Sequence, residues 1–294
     1  MTTTRSGTTT SGSTTSAGSQ ARPLPHARPA SKWRAFSTLS GRRFALSAHT
    51  PREILVPLLT PILFADVIAP ALAKTIHVTG IDYVSFVAVG TIGLLVPLSC
   101  VLGGIGMIVD RDSGAQRDLL AAPVPRSLMV FGNLSVALAV SAFQVVALIG
   151  AAVARGATFA TAASGIAWAA CATIGVAVAM HSVAEILASR ITKQEEYVGA
   201  APPVALLPWF FAGSFFRITA MPKALTWFAR VLPLTHALAL LRYGLVDRRG
   251  TGLRDIWGMS NPTVMAALSL TVVVVFAGLM MALAVRVFTR TAVR

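Results

Sequence analysis

Residues 262–285 read PTVMAALSLTVVVVFAGLMMALAV, twenty-four positions without a charged side chain. A hydrocarbon core about 30 Å thick is crossed by about 20 apolar residues in a helix, so this stretch reads as a transmembrane helix. The rest of the chain has the same character. Of its 294 residues, 55% are hydrophobic and 12% charged, and mean hydropathy is +0.71. Soluble domains carry about a quarter charged residues. The expected fold class is therefore an all-α membrane protein.

Working outward from residue 262, five more spans are predicted: Ile54 to Ala73, Phe86 to Val109, Leu128 to Val153, Phe159 to Ala188, and Val198 to Phe216. Between Arg217 and Asn261, Pro222 and Pro233 divide short apolar pieces that charges punctuate, and each piece is too short to cross. Re-entrant or interfacial helices are expected there before the last span. Promoting Val231 to Leu241 to a span would make the number odd and move the carboxyl terminus to the other side.

The amino-terminal region is different. Residues 1–30 are Ser, Thr, Gly, Pro and Arg with few apolar side chains, so they are expected to form a disordered tail. Residues 31–52 mix Trp33, Phe36, Leu39 and Phe44 with Lys32, Arg34, Arg42 and Arg43, as an amphipathic segment in the headgroup region does. This segment reads as an interfacial helix broken near Gly41, or as a basic linker. No signal-like apolar segment precedes Ile54, so the amino terminus is expected to be retained.

The net charge is +14, but the basic residues lie in the tail and between spans, which argues against nucleic-acid binding. The tail up to Arg52, the 110–127 loop, the 189–197 loop and the carboxyl terminus hold 16 of the 25 Lys and Arg, and seven of the other nine lie in 217–261. The positive-inside rule then puts both termini in the cytoplasm, for a multi-pass protein of a bacterial inner membrane. Cys100 and Cys171 lie inside apolar stretches without metal-ligand spacing.

Catalytic motifs are incomplete. Gly103-Gly104-Ile105-Gly106 is not followed by Gly-Lys-Ser or Gly-Lys-Thr, so this chain has no phosphate-binding loop and binds no cofactor of its own. Asp110-Arg111-Asp112 superficially matches a metal-binding Asp-x-Asp of sugar transferases, and Asp112 to Arg117 faintly resembles the start of a lipid alcohol phosphotransferase motif, but Ser113 stands where that motif requires glycine and its further acidic residues are absent downstream. The informative segment is the loop Asp110 to Arg126. It has a charged break after a span, an apolar pair Leu119-Leu120 expected to be exposed, and a Pro123-Val124-Pro125-Arg126 turn back into the membrane. An exposed apolar pair there fits a docking surface for a cytosolic partner. The plainer reading is a solvated loop whose arginines serve orientation.

On this loop the sequence resembles the ABC-2 family of permeases, particularly the daunorubicin-resistance type. The resemblance is carried by Asp110, Arg111, Gly114, Leu119, Leu120, Pro123, Val124 and Arg126, with Ala115 where threonine is usual. A second block supports it: Phe211 to Phe216, Met221-Pro222, Leu232-Pro233-Leu234-Thr235-His236-Ala237 and Leu241-Arg242, with Arg217 where proline is common. The resemblance implies six spans per subunit, a homodimer or paired permeases, and a separate ATPase subunit that carries ATP and Mg. It also implies that the 110–126 loop couples ATP-driven closure to the pathway, and that Arg217 to Leu241 dips in from the outer face. The expected function is export of a hydrophobic or amphipathic solute such as a drug, an antibiotic or a lipid-like molecule. A membrane-embedded lipid-modifying enzyme and a non-transporting scaffold are the alternatives.

Candidate coupling residues are thus Asp110, Arg111, Gly114, Leu119, Leu120, Pro123 and Arg126. Candidate pathway or gating residues are Asp66, Pro208, Gly213, Phe216, Pro233, His236 and Arg242. Asp66 stands in the first expected span, where a carboxylate must face protein or water, so it either lines a pathway or bonds to another helix. His181 and Glu185, four apart, share a helix face and are read as a self-satisfying pair. His236 is read as a structural hydrogen bonder. Glu195 and Glu196 beside Arg190 and Lys193 read as a solvated loop, and Pro202, Pro203 and Pro208 predict a kinked fifth span.

Overall fold

The computed structural model describes residues 31–49, 59, 62–63, 83–122, 124–159 and 162–291. The tail, nearly all of the first expected span with Asp66, and Pro123 lie outside the described residues. Among the described residues there is no strand. Eleven α-helices follow one another: α1 (Lys32–His49), α2 (Tyr83–Leu102), α3 (Ile105–Asp112), α4 (Ala115–Ala121), α5 (Ser127–Ala154) and α6 (Ala163–Arg190). Then come α7 (Gln194–Phe211), α8 (Lys223–Val231), α9 (Pro233–Leu245), α10 (Thr251–Trp257) and α11 (Pro262–Thr291).

Four of these are long and apolar enough to cross a membrane: α2 with α3 (Tyr83–Asp112), α5, α6 and α11 up to Arg290. The pair α8 and α9 would add a fifth if counted as one span, but it is bent by 81° at Leu232–Pro233. The expectation of six is not reached among the described residues. One expected span lies outside them, and α7 opens on Gln194-Glu195-Glu196, which shortens its apolar part. Even so, α7 runs beside α2 for most of its length. The Tyr197 hydroxyl donates to Val101 O at 2.6 Å and Trp209 Nε1 to Gly90 O at 2.8 Å. Twelve residues of helix separate those donors, about 18 Å of rise, so the two helices lie antiparallel.

The core is α2, buried on nearly every side and surrounded by α5, α6, α7 and α9. α6 is sandwiched between α9 and α11, whereas α5 and α11 turn large apolar faces outward, among them Phe143, Val146, Val274, Val275 and Leu279. Apolar surface on both sides of a helix is what a lipid solvent permits. Connections define two ends. One, the basic end, carries α1, the 103–126 segment, the α6–α7 turn and the end of α11. The opposite end carries the α5–α6 connection and residues 212–261.

Two local expectations are corrected. α1 is one continuous helix through Gly41, not broken there. A Cβ at Gly41 would meet nothing within 4 Å, and one exposed helical glycine costs about 1 kcal/mol. The packing of α1 along α5 outweighs that cost. Leu119 and Leu120 are half-buried rather than exposed, because α4 folds back against α3. α7 runs as one helix through Pro202, Pro203 and Pro208.

Candidate functional site

At the basic end, the segment from Asp110 to Arg126 is a helix–turn–helix held by its own charged side chains. α3 stops at Asp112, and Gly114 takes a left-handed conformation with φ of 79°. That conformation suits glycine and would strain a side-chain-bearing residue. The Gly114 carbonyl then accepts from the Arg117 amide at 2.9 Å and opens α4.

Each charged residue that the sequence singled out here reaches another element. Asp110 receives Arg42 Nη2 at 3.1 Å and Arg43 Nη1 at 3.5 Å from α1, while Arg43 Nη2 also donates to Gly103 O at 3.3 Å. Arg111 donates to Ala188 O at 3.1 Å and to Ile191 O and Thr192 O at 3.0 Å, closing the carboxyl end of α6. A cation there satisfies orphan carbonyls and meets the negative pole of the helix. Arg126 does the same for α11 through Thr289 O at 3.3 Å. The residues left facing outward on α4 are Arg117, Asp118 and Ala121.

Asp110→Asn is accordingly expected to loosen α1 by about 1 kcal/mol, the scale of a partly exposed ion pair. Faster amide hydrogen exchange in residues 38–46 would register it.

At the opposite end a second cluster joins α2, α7 and α9. Gly213 ends α7 with φ of 78°. Arg242 on α9, buried, donates to Gly213 O at 2.9 Å and to Ser214 O at 2.8 Å, and its guanidinium carbon lies 3.6 Å from the centre of the Phe86 ring. Ser214 Oγ returns to Trp209 O at 2.8 Å, and the Tyr83 hydroxyl donates to Phe215 O at 3.2 Å. Gly213 and Arg242, two of the expected pathway residues, are thus in direct contact. Phe216 is exposed and Pro208 lies half-buried on α7.

Pro233 is the first residue of α9 and sits at the 81° bend, where its missing N–H is one of the donors a helix start leaves orphaned. His236 lies one turn on. Its Nε2 is 2.9 Å from Arg230 O, which only accepts, so Nε2 carries the proton and Nδ1 accepts from Ser269 Oγ at 3.2 Å. Trp257 Nε1 donates to the same Ser269 oxygen at 2.8 Å. The histidine thus ties α8, α9, α10 and α11 together, in the hydrogen-bonding role its sequence position suggested.

Arg217 grips Asp255 through two donors, Nε at 2.8 Å and Nη2, and Arg230 Nε donates to Asp255 O at 3.1 Å. Asp255, Trp257 and Ser269 were missed by sequence reasoning. A buried acid among the arginines of 217–254 was the available signal for the first. The cavity beside Arg217, Arg242, Asp247 and Asp255 is about 30 Å³, room for water but no larger solute.

Within the spans, His181 Nε2 lies 3.3 Å from Glu185 Oε1, outside hydrogen-bond alignment, and Asn133 Nδ2 donates to the same oxygen at 3.1 Å. The expectation of a self-satisfying pair is not met: His181 Nε2 and the other Glu185 oxygen, both buried, have no hydrogen-bond partner among the described residues, and Asn133 on α5 supplies the one bond Glu185 Oε1 receives. Among the described residues no group of three or more His, Cys, Asp or Glu could hold a metal.

The family described as ABC-2 type transporter matches residues 34–246, which runs from the first turn of α1 to just past α9 and takes in Asp110 to Arg126 and the Gly213–Arg242 contact. No curated protein matches the chain.

Proposed function

The chain belongs to the ABC-2 type transporter family, and we propose that it is the permease subunit of an exporter for a hydrophobic or amphipathic solute of the drug, antibiotic or lipid-like class, in the daunorubicin-resistance group. Membership makes it a multi-pass membrane permease without an ATPase site of its own, in a family that generally works with an ABC ATPase subunit. The further steps are our reading. A separate ATPase docks on the basic end, which faces the cytoplasm with both termini. Six spans per subunit, with Ile54 to Ala73 and α7 completing the set, pair with a second permease, identical or related. The α8–α9 bend enters from the outer face.

One observation carries the docking assignment. Asp110, Arg111 and Arg126 anchor the 110–126 segment to α1, α6 and α11, so a push on α4 is passed to three other elements at once. Coupling of this kind needs a rigid lever with an outward face, and Arg117 and Asp118 supply that face. Asp66, Pro208, Phe216 and Pro233 remain proposed pathway or gating positions, together with Gly213, Arg242 and His236.

The test uses exposed positions, since replacing Arg111 or Gly114 would disturb the fold itself. Arg117→Glu with Asp118→Arg is expected to weaken retention of a co-expressed ABC ATPase by about tenfold or more, since like charges set against each other cost several kcal/mol. Thermal stability of the permease should not change. Equal retention by the double variant would remove α4 from the docking surface. Failure of the unaltered chain to retain or stimulate any such ATPase would favour the lipid-modifying enzyme or the scaffold.

A further inference from the structure

Between α5 and α6, in the half of the bundle nearest their connection, lies a groove of about 660 Å³. Its floor is Ala169, Ala177, Leu241 and Leu245, and its rim residues Val146, Ile166 and Ile174 are exposed. The polar side chains in its wall are already satisfied. Ser141 Oγ is paired with Cys100 Sγ at 3.5 Å, and Thr173 Oγ1 donates to Ala169 O at 2.9 Å within its own helix. A wall without unmet donors or acceptors selects hydrocarbon over any polar solute. A dry apolar cavity of about 150 Å³ accepts a benzene-sized molecule, so this groove has room for a much longer chain.

The groove has a charged end. Arg248 Nη2 donates to Ser164 Oγ at 3.1 Å, two residues before Ile166 on one wall and three after Leu245 on the floor. The neighbouring acid, Asp247, is turned away onto the Arg249 and Thr251 amides. We propose that the α5–α6 groove binds one acyl chain of an anionic phospholipid, whose headgroup lies against Arg248. The observations that favour this occupant are the position between two membrane-spanning helices, the dry wall, and an exposed arginine three residues beyond Leu245, where the apolar wall ends. The site lies on the outward side of α5 and α6, apart from both clusters described above, and does not depend on the proposed docking of an ATPase.

The experiment reconstitutes the full chain in phosphatidylcholine vesicles doped with phosphatidylglycerol bearing a diazirine in one acyl chain. Photolabelled peptides are then mapped. The outward face of α11, with Val274, Val275 and Leu279, serves as the reference for lipid that merely surrounds the protein. Labelling of residues 138–149 and 166–177 is expected to exceed that of α11 several-fold and to be displaced by unlabelled phosphatidylglycerol. Ala170→Phe with Thr173→Phe, which fills the groove, should abolish the excess and leave α11 labelling unchanged. Arg248→Gln should remove the preference over a phosphatidylcholine probe of the same design. Equal labelling of the groove and α11, excess labelling that survives the filled groove, or no preference for the anionic probe would each overturn the proposal. If the filled variant does not fold, displacement in the unaltered chain decides: groove labelling that unlabelled phosphatidylglycerol leaves in place overturns it.

Discussion

Arg242→Leu is expected to abolish recovery of folded protein, or to lower its thermal midpoint in detergent by far more than replacement of any exposed arginine. The guanidinium satisfies two carbonyls, Gly213 O and Ser214 O, at the point where α7 ends. Each buried acceptor left without a donor costs about 1–3 kcal/mol. Loss of the desolvated contact with the Phe86 ring adds up to about 2 kcal/mol. A sum on the order of 5 kcal/mol is comparable with the whole stability of many domains. Removing a buried cation also recovers its desolvation cost, which can make an apolar replacement neutral when its partner leaves with it. Here the partners are backbone carbonyls, and they stay. Arg242→Lys separates structure from function, because one ammonium cannot reproduce the planar fork that bridges adjacent carbonyls. That variant is expected to fold with a lower midpoint and to lose transport while keeping its ATPase partner. A Leu variant as stable as the unaltered chain would show that the clasp is dispensable.

What was legible in the sequence is what a lipid solvent writes locally. The uncharged run 262–285 fixed α11 because no soluble helix needs such uniform hydropathy, although the helix continues through Arg286 and Arg290 to Thr291. Pro233 announced the bend because its effect is confined to its own backbone. That His181 and Glu185 lie side by side followed from four-residue spacing, but not that they fail to satisfy each other. By contrast, the break at Gly41 was over-read, since a glycine on an open face gives no sign that its helix is held elsewhere. Leu119 and Leu120 were expected outside because nothing in a short loop tells which way its helix folds back. The partners of the charged residues were least legible. Arg42 meets Asp110 across 68 positions and Arg111 meets Ala188 across 77. Asp110, Arg111 and Arg126, which read as docking candidates or orientation signals, turn out to be structural anchors.

Glycines sharpen the point, since the sequence presents Gly165, Gly244, Gly150 and Gly278 as equivalents inside apolar helices. The structure divides them. A Cβ on Gly165 would lie 2.2 Å from Gly244 O, and one on Gly244 would lie 2.3 Å from Gly165 O. This is backbone against backbone where α6 crosses α9, and no rotamer relieves it. Close approach of this kind is how helices associate in lipid, where no hydrophobic force drives them together. Gly165→Ala must push α6 and α9 apart and is expected to cost about 3 kcal/mol or more, the upper range of overpacking. The separation would propagate to Arg242, two residues from Gly244. Gly150 and Gly278 have nothing within 4 Å of their added Cβ. Gly150→Ala and Gly278→Ala are therefore expected to do the reverse, raising stability by up to about 1 kcal/mol through helix propensity. Thermal midpoints of the three variants in one detergent measure both signs. Equal behaviour of Gly165→Ala and Gly278→Ala would mean that α6 and α9 do not meet as closely as their glycines allow.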